Sequence, residues 1–207
     1  MSKVWKICAF SLVTLIFAVM PALAVDPPKI ALERVEVASI QPFFLSAKIA
    51  VPTKDDPKKM EDKIMAAPGF TATMNTAYVL KITNPNKAPI MLDELTFTVS
   101  FDGFDVNTVT SYEDMWIPGG KTNYLRVIAT NEANPTVGSL SVGSEWVERA
   151  KSMGKKPPEL VKKWFESISD FDFPVEVKDG TAVFKTEDGK ELRATFAGKF
   201  GKAGTAK

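Results

Sequence analysis

Two runs of strictly alternating side chains meet at Asp102-Gly103, and that junction restricts the fold more than any other stretch of the chain. Leu95, Phe97, Val99 and Phe101 alternate with Thr96, Thr98 and Ser100, and Phe104, Val106 and Thr108 resume the pattern beyond the turn. A period of two with β-branched polar residues on the second face describes half-buried strands. An Asp-Gly pair between such runs predicts a two-residue hairpin, because that turn needs positive φ and glycine accepts it without steric cost. The chain is thereby directed towards antiparallel sheet.

The same grammar recurs on both sides. Tyr78, Leu80 and Ile82 alternate with Val79, Lys81 and Thr83 and run into Asn84-Pro85-Asn86. Leu125, Val127 and Ala129 form a further strand after Gly119-Gly120. Phe173, Val175 and Val177 lead to a second hairpin turn at Asp179-Gly180, then a strand over 182–185, a turn at Asp188-Gly189, and a strand with Leu192, Ala194 and Phe196. An early strand over 31–38, carrying Leu32, Val35 and Val37, continues over 43–51. The expected fold is mainly β: an antiparallel sandwich of about seven or eight strands. From Gly198 the chain has few apolar side chains and reads as a flexible tail, clearest over 201–207.

Two short helices interrupt the pattern in the C-terminal third. Ser144 can cap the first, which carries Trp146, Val147 and Ala150 and stops at Gly154. Pro157-Pro158 opens the second, where Leu160, Val161, Trp164, Phe165 and Ile168 share one face. That face reads either as a plug for an open end of the sandwich or as a partner surface formed by Trp146, Trp164 and Phe165. A charged segment over 55–67, between Pro57 and Pro68, carries Met60 and Ile64. It reads as a solvated loop or surface helix, or as an adaptable methionine-bearing binding surface.

Composition matters mostly through what is missing. There is no His, which removes the usual general base, the Ser–His and Cys–His pairs and every imidazole ligand. Lys and Arg total 26 against 25 Asp and Glu, too balanced for a nucleic-acid binder. At the N-terminus, Lys3 and Lys6 precede an uncharged apolar run over 7–20, then Pro21 and Ala22-Leu23-Ala24. This is the layout of a signal peptide, 1–24, cleaved after Ala24, with a retained anchor as the other reading. Cleavage removes the only Cys, Cys8, and leaves about 180 residues, enough for a core without disulfides. The expected location is periplasmic or secreted. Two acid pairs remain, Asp102 with Asp105 and Asp170 with Asp172. They read first as turn and strand-entry acids, and second as a cation site or an acid–base pair. Neither has the spacing of a calcium loop, and no cofactor is expected.

Residues 78–86, Ala88-Pro89-Ile90 and 95–103 resemble the late embryogenesis abundant group 2 (LEA type 2) domain, also called the water stress and hypersensitive response (WHy) domain. The shared pattern is an apolar strand running into Asn-Pro-Asn, then a second strand and a turn with Gly. Ile117-Pro118-Gly119-Gly120 resembles the break before the next strand, and the likeness extends over roughly 30–200, with 53–73 reading as an insertion. The resemblance implies a single domain over 25–200 with immunoglobulin- or fibronectin III-like packing, no catalytic residues, and a role in desiccation or other stress. Asn84 and Asn86 read from their own chemistry as structural turn residues, with Pro85 ending the strand ladder.

Three functions are therefore weighed. The first is a non-enzymatic exported protein for stress protection or protein interaction in the cell envelope. The second is an accessory subunit or ligand carrier with a protein or membrane-surface partner there. The third is a carboxylate-based hydrolase. A monomer or weak homo-oligomer is expected.

Overall fold

The alternation is realised as eight antiparallel strands among the described residues, 25–41 and 72–201, of the computed structural model. In chain order the elements are β1 (Lys29–Ile40), β2 (Thr73–Thr83), β3 (Ile90–Phe101), β4 (Phe104–Ser111), β5 (Met115–Ile117), β6 (Thr122–Glu132), helices α1 (Ala133–Val142), α2 (Ser144–Ser152) and α3 (Pro157–Ser167), a 3-10 turn (Ile168–Asp170), β7 (Val175–Thr186) and β8 (Glu191–Phe200). One sheet has the order β1-β2-β6, and the other β4-β3-β7-β8 with β5 also on β3.

The sheets pack face to face through the alternating apolar residues. Tyr78 of β2 meets Phe97 of β3 edge-on at 5.4 Å, and Phe97 in turn approaches Phe196 of β8 at 6.1 Å. The two sheets also meet along their edges. β8 comes so close to β1 that a Cβ on Gly198 would lie 2.5 Å from that of Leu32. At the opposite edge the Asn107 amide of β4 donates to the Thr130 carbonyl of β6 at 2.9 Å. Both edges of the three-stranded sheet are thus tied to the other layer, which limits strand-on-strand association.

The hairpin at Asp102-Gly103 forms as its sequence demands, with φ of 50° and 80° at the two turn residues and Phe101 opposite Phe104. A one-residue bulge follows at Val106, so that Val99 faces Asn107 and Thr98 faces Thr108. The strict alternation expected through Phe104, Val106 and Thr108 is therefore broken, and Val109 takes the next core position.

Four further expectations are corrected. Asp179-Gly180 is not a hairpin turn but a bulge inside the continuous strand β7. Asp179 has φ of 51° while Gly180 is absent from the positive-φ residues, and one left-handed residue bends a strand without reversing it. Three helices are present where two were expected, α1 being the addition. Its first turn tolerates Pro135, and it buries Ala133, Thr136 and Leu140. Ser144 is the first residue of α2 and not its cap; Gly143 holds that position without a side-chain bond. Finally, Gly198 to Phe200 belong to β8 rather than to a flexible tail. The leader 1–24, the continuation over 43–51, the 55–67 segment with Met60 and Ile64, and 202–207 lie outside the described residues.

Candidate functional site

The Asn-Pro-Asn corner follows β2, whose ladder must stop because Pro85 has no N–H. Asn84 is fully buried and its amide N–H groups donate to the carbonyls of Ala88 at 2.9 Å and Ile117 at 3.1 Å. Its side-chain oxygen accepts from the Asn86 backbone N–H at 3.0 Å and from the Asn86 amide at 3.1 Å. Its own backbone N–H donates to the Lys121 carbonyl at 2.9 Å, so one residue ties β2 to the turn between β5 and β6. Asn86 acts in the same way one step outward. Its amide accepts from the Asp26 N–H and donates to the Asp26 carbonyl, each at 2.8 Å, imitating a strand partner. These side chains are structural, and a buried amide so fully paired has no spare capacity for a ligand.

The second cluster lies at the far end of the sandwich. Asp102 turns its carboxylate towards α3, where one oxygen accepts from the Trp164 indole N–H at 2.8 Å and from the Lys163 ammonium at 2.9 Å. The Asp102 carbonyl accepts from the Arg149 guanidinium of α2 at 3.1 Å. Of the two readings of the helical face, plug or partner surface, the packing is that of the plug. Trp164 and Phe165 are buried, and Trp146 is half-buried. Trp164 packs 5.7 Å from both Phe101 and Phe104, while Trp146 packs 5.7 Å from Phe104. An apolar helical stripe next to exposed phenylalanines on an open sandwich end gains more by covering them than by facing water. Trp164 and Phe165 thus belong to the core, and Trp146 packs against it.

The acid pairs do not converge. Asp102 is held by Trp164 and Lys163, whereas Asp105, opposite Ser100, is held by Lys178. Asp170 and Asp172 are exposed on either side of Phe171, which has φ of 48°. Ser152 and Lys155 have the spacing of a serine–lysine dyad, but the Ser152 hydroxyl donates to the Arg149 carbonyl at 2.7 Å on an exposed helix end. Among the described residues no three His, Cys, Asp or Glu side chains cluster to hold a metal ion.

A cleft of about 460 Å³ lies beside the Asn corner, lined by Val25, Asp26, Asn86, Lys87, Glu187 and Asp188 among others. Asp188 accepts from the Thr186 hydroxyl, which holds its carboxyl below the ordinary range. On the outer face of the three-stranded sheet, Glu36 bridges Arg34 at 2.7 Å and Arg126 at 3.1 Å, and hydrogen bonds to these guanidinium groups lower its pKa. Burial pushes the Tyr78 hydroxyl well up, opposed by a weaker effect of its bond from Thr76. Hydrogen bonding accounts for the shifts of Asp188 and Glu36, and burial for that of Tyr78.

One surface feature was not read from the sequence. Thr110, Thr96, Thr181 and Thr195 stand in register across all four main strands of the second sheet. Thr98 and Thr108 form a second rank beside it. The paired tripeptides Thr96-Phe97-Thr98 and Thr108-Val109-Thr110 carry the signal, but only the Val106 bulge brings them opposite each other.

No protein-family model matches the chain, and no curated protein does. Several solved structures are similar. The solution structure of an Arabidopsis thaliana protein is 11% identical, with 86% of this chain and 84% of that one covered and a TM-score of 0.44. A crystal structure from Archaeoglobus fulgidus is 12% identical over 83% of this chain and 98% of the other, with a TM-score of 0.39. The solution structure of a candidate late embryogenesis abundant protein is 11% identical over 84% and 72% of the two chains, with a TM-score of 0.36. The similarity is one of structure at low sequence identity.

Proposed function

We propose that this chain is a non-enzymatic exported protein of LEA type 2 character that protects other proteins against drying and related stress in the cell envelope. In this reading the leader 1–24 carries the chain out of the cytoplasm and is removed after Ala24, leaving a periplasmic or secreted protein. One observation carries the reading: the polar side chains of the Asn-Pro-Asn and Asp-Gly motifs are engaged in holding the scaffold, with Asn84 and Asn86 on backbone groups and Asp102 on Trp164 and Lys163. The remaining function is that of a stable surface of mixed charge, which separates unfolding neighbours without binding any of them tightly.

The test is a client enzyme dried or heated with the purified protein or with an equal mass of albumin. Recovery above the albumin level supports the reading; recovery at or below it overturns the protective role. Export is tested separately by the N-terminal residue of the protein recovered from the cell envelope. Val25 supports cleavage, and a retained Met1 in the membrane fraction contradicts it.

A further inference from the structure

We propose that the cleft beside the Asn corner seats the chain's own mature N-terminus. Removal of the leader creates an ammonium group on Val25, and Glu187 is its counter-ion. The inference rests on the cleavage after Ala24 proposed above. Chain ends usually fray, but the stretch from Val25 to Pro28 is tied down along its length. Asp26 is held by its reciprocal pair of bonds to the Asn86 amide, each of 2.8 Å. Pro27 biases Asp26 towards an extended backbone, Pro28 is buried, and Val25 packs against the core. Val25 also lines the 460 Å³ cleft, together with Glu187 and Asp188 from the turn between β7 and β8. With Asp26 anchored, the Val25 nitrogen lies no more than about 3.6 Å from the clamped Asp26 nitrogen.

Charge selects this occupant. The charged groups lining the cleft are Asp26, Glu187 and Asp188 against Lys87, an excess of carboxylates that favours a cation. Asp188 is already engaged: it accepts from the Thr186 hydroxyl and the Lys190 backbone N–H, and the Lys190 ammonium attracts it. Asp26 neighbours Val25 in the unfolded chain as well, so its attraction does not favour the fold. Glu187 is exposed on the turn and forms no ion pair among the described residues. It is the carboxylate left for an ammonium. Lys87, on a flexible stem, loses more side-chain entropy in reaching it than an N-terminus already fixed at Asp26. In the precursor the Val25 nitrogen is a neutral amide, so the pair exists only after processing. A paired α-ammonium has a raised pKa in the folded chain. Its contribution is complete below the ordinary value of about 7.7–8.0 and is lost as pH rises through the raised one.

The test compares three purified forms: the chain beginning at Val25, the same chain acetylated on its α-amine, and one beginning at Ala22, whose amine is displaced outward. Competitive labelling with acetic anhydride gives the α-amine pKa of the first and third. In the Val25 chain it should lie about half a unit or more above the ordinary range, and Glu187→Gln should return most of that shift. The Ala22 chain should titrate within the ordinary range. Acetylation should lower the thermal midpoint at about pH 6 by about 1–3 °C, and by much less in Glu187→Gln. The difference should fade by about pH 10 and in about 1 M salt. Glu145→Gln, exposed on α2, should change neither reading. Because Glu187 is exposed, a cooperative thermal transition certifies the fold of each form. An α-amine titrating in the ordinary range in the Val25 chain, or acetylation costing the same with and without Glu187, overturns the proposal. A first residue other than Val25 on the envelope protein overturns the cleavage reading, whereas these results on a chain fixed to begin at Val25 judge the clamp alone.

Discussion

The Trp164 indole N–H donates to the Asp102 carboxylate at 2.8 Å, joining a helix to a hairpin turn 62 positions earlier in the chain. The same oxygen takes the Lys163 ammonium at 2.9 Å, and the Asp102 side chain is only 10% exposed. Asp102 also has φ of 50°, which Asn adopts readily and Ala does not. Asp102→Asn should therefore keep the turn and lose the charge-assisted part of the pairing, at a cost of roughly 1–2 kcal/mol. Asp102→Ala adds backbone strain of about 1 kcal/mol and an unpaired indole, and should cost roughly 3 kcal/mol. Urea unfolding measures both, and equal losses for the two variants would contradict the assignment.

The Asn84 corner predicts a sharper contrast between two adjacent glycines. A Cβ on Gly119 would sit 1.9 Å from the Lys87 carbonyl oxygen, inside the loop that Asn84 holds closed. At Gly120 no atom lies within 4 Å of such a Cβ, although φ is +66°. Gly119→Ala should accordingly destabilise by several times the amount seen for Gly120→Asn, which the left-handed backbone tolerates. Asn84→Ala orphans buried carbonyls and the Asn86 N–H together, and roughly 3 kcal/mol or more is expected. Thermal midpoints of the three variants decide; a Gly120→Asn loss as large as that of Gly119→Ala would refute this account.

These positions also mark how far local sequence reaches. Asp102-Gly103 and Asp179-Gly180 are the same dipeptide between alternating runs, and both aspartates have φ near 50°. The first reverses the chain because Gly103 is also left-handed; the second does not, and Gly180 serves for space, since a Cβ there would lie 2.6 Å from the Phe196 carbonyl oxygen. The difference comes from the pairing of β7 with β3 and β8, which no local window contains. Helix α1 was hidden for a related reason. With Pro135, Gly138 and three serine or threonine hydroxyls bonded back to carbonyls four residues earlier, it has little intrinsic propensity and exists through its buried Thr136 and Leu140. The strands were legible because each carries its own period of two. The threonine ranks were not, because a single bulge sets their register.

Acid should weaken the fold through Glu36. Hydrogen bonds from Arg34 and Arg126 lower its pKa below the usual 4.5, so the folded state binds its proton less readily than the unfolded one. Its contribution is present above pH 4.5 and is lost as pH falls below that value. Asp188, lowered by Thr186, acts in the same sense from 3.8 downward. Glu36→Gln should flatten the part of the stability profile that begins at pH 4.5, and added salt should flatten it in the parent protein too, because the pair is exposed. A profile unchanged by Glu36→Gln below pH 4.5 would count against the bridge.

Alkali acts through Tyr78, which is fully buried between the sheets with its hydroxyl accepting from Thr76 at 3.1 Å. Burial raises its pKa far above the ordinary 10.0, so above pH 10 the unfolded chain releases a proton that the folded chain keeps. The stability this group supports is complete below pH 10 and then falls by about 1.4 kcal/mol per pH unit. Lys185, raised by its bond to Asp93, loses its contribution in the same direction above 10.5. Tyr78→Phe isolates the tyrosine's share: it should cost about 1 kcal/mol at neutral pH, through the Thr76 hydroxyl left without its acceptor. Above pH 10 the variant should lose stability less steeply than the parent, so the two curves converge as pH rises. Phenolate absorbance gives an independent reading, because one tyrosine of the three should ionise only as the sandwich unfolds. Parallel curves for parent and variant, or complete tyrosine ionisation in the folded protein, would mean that water reaches the interior between Tyr78 and Phe97.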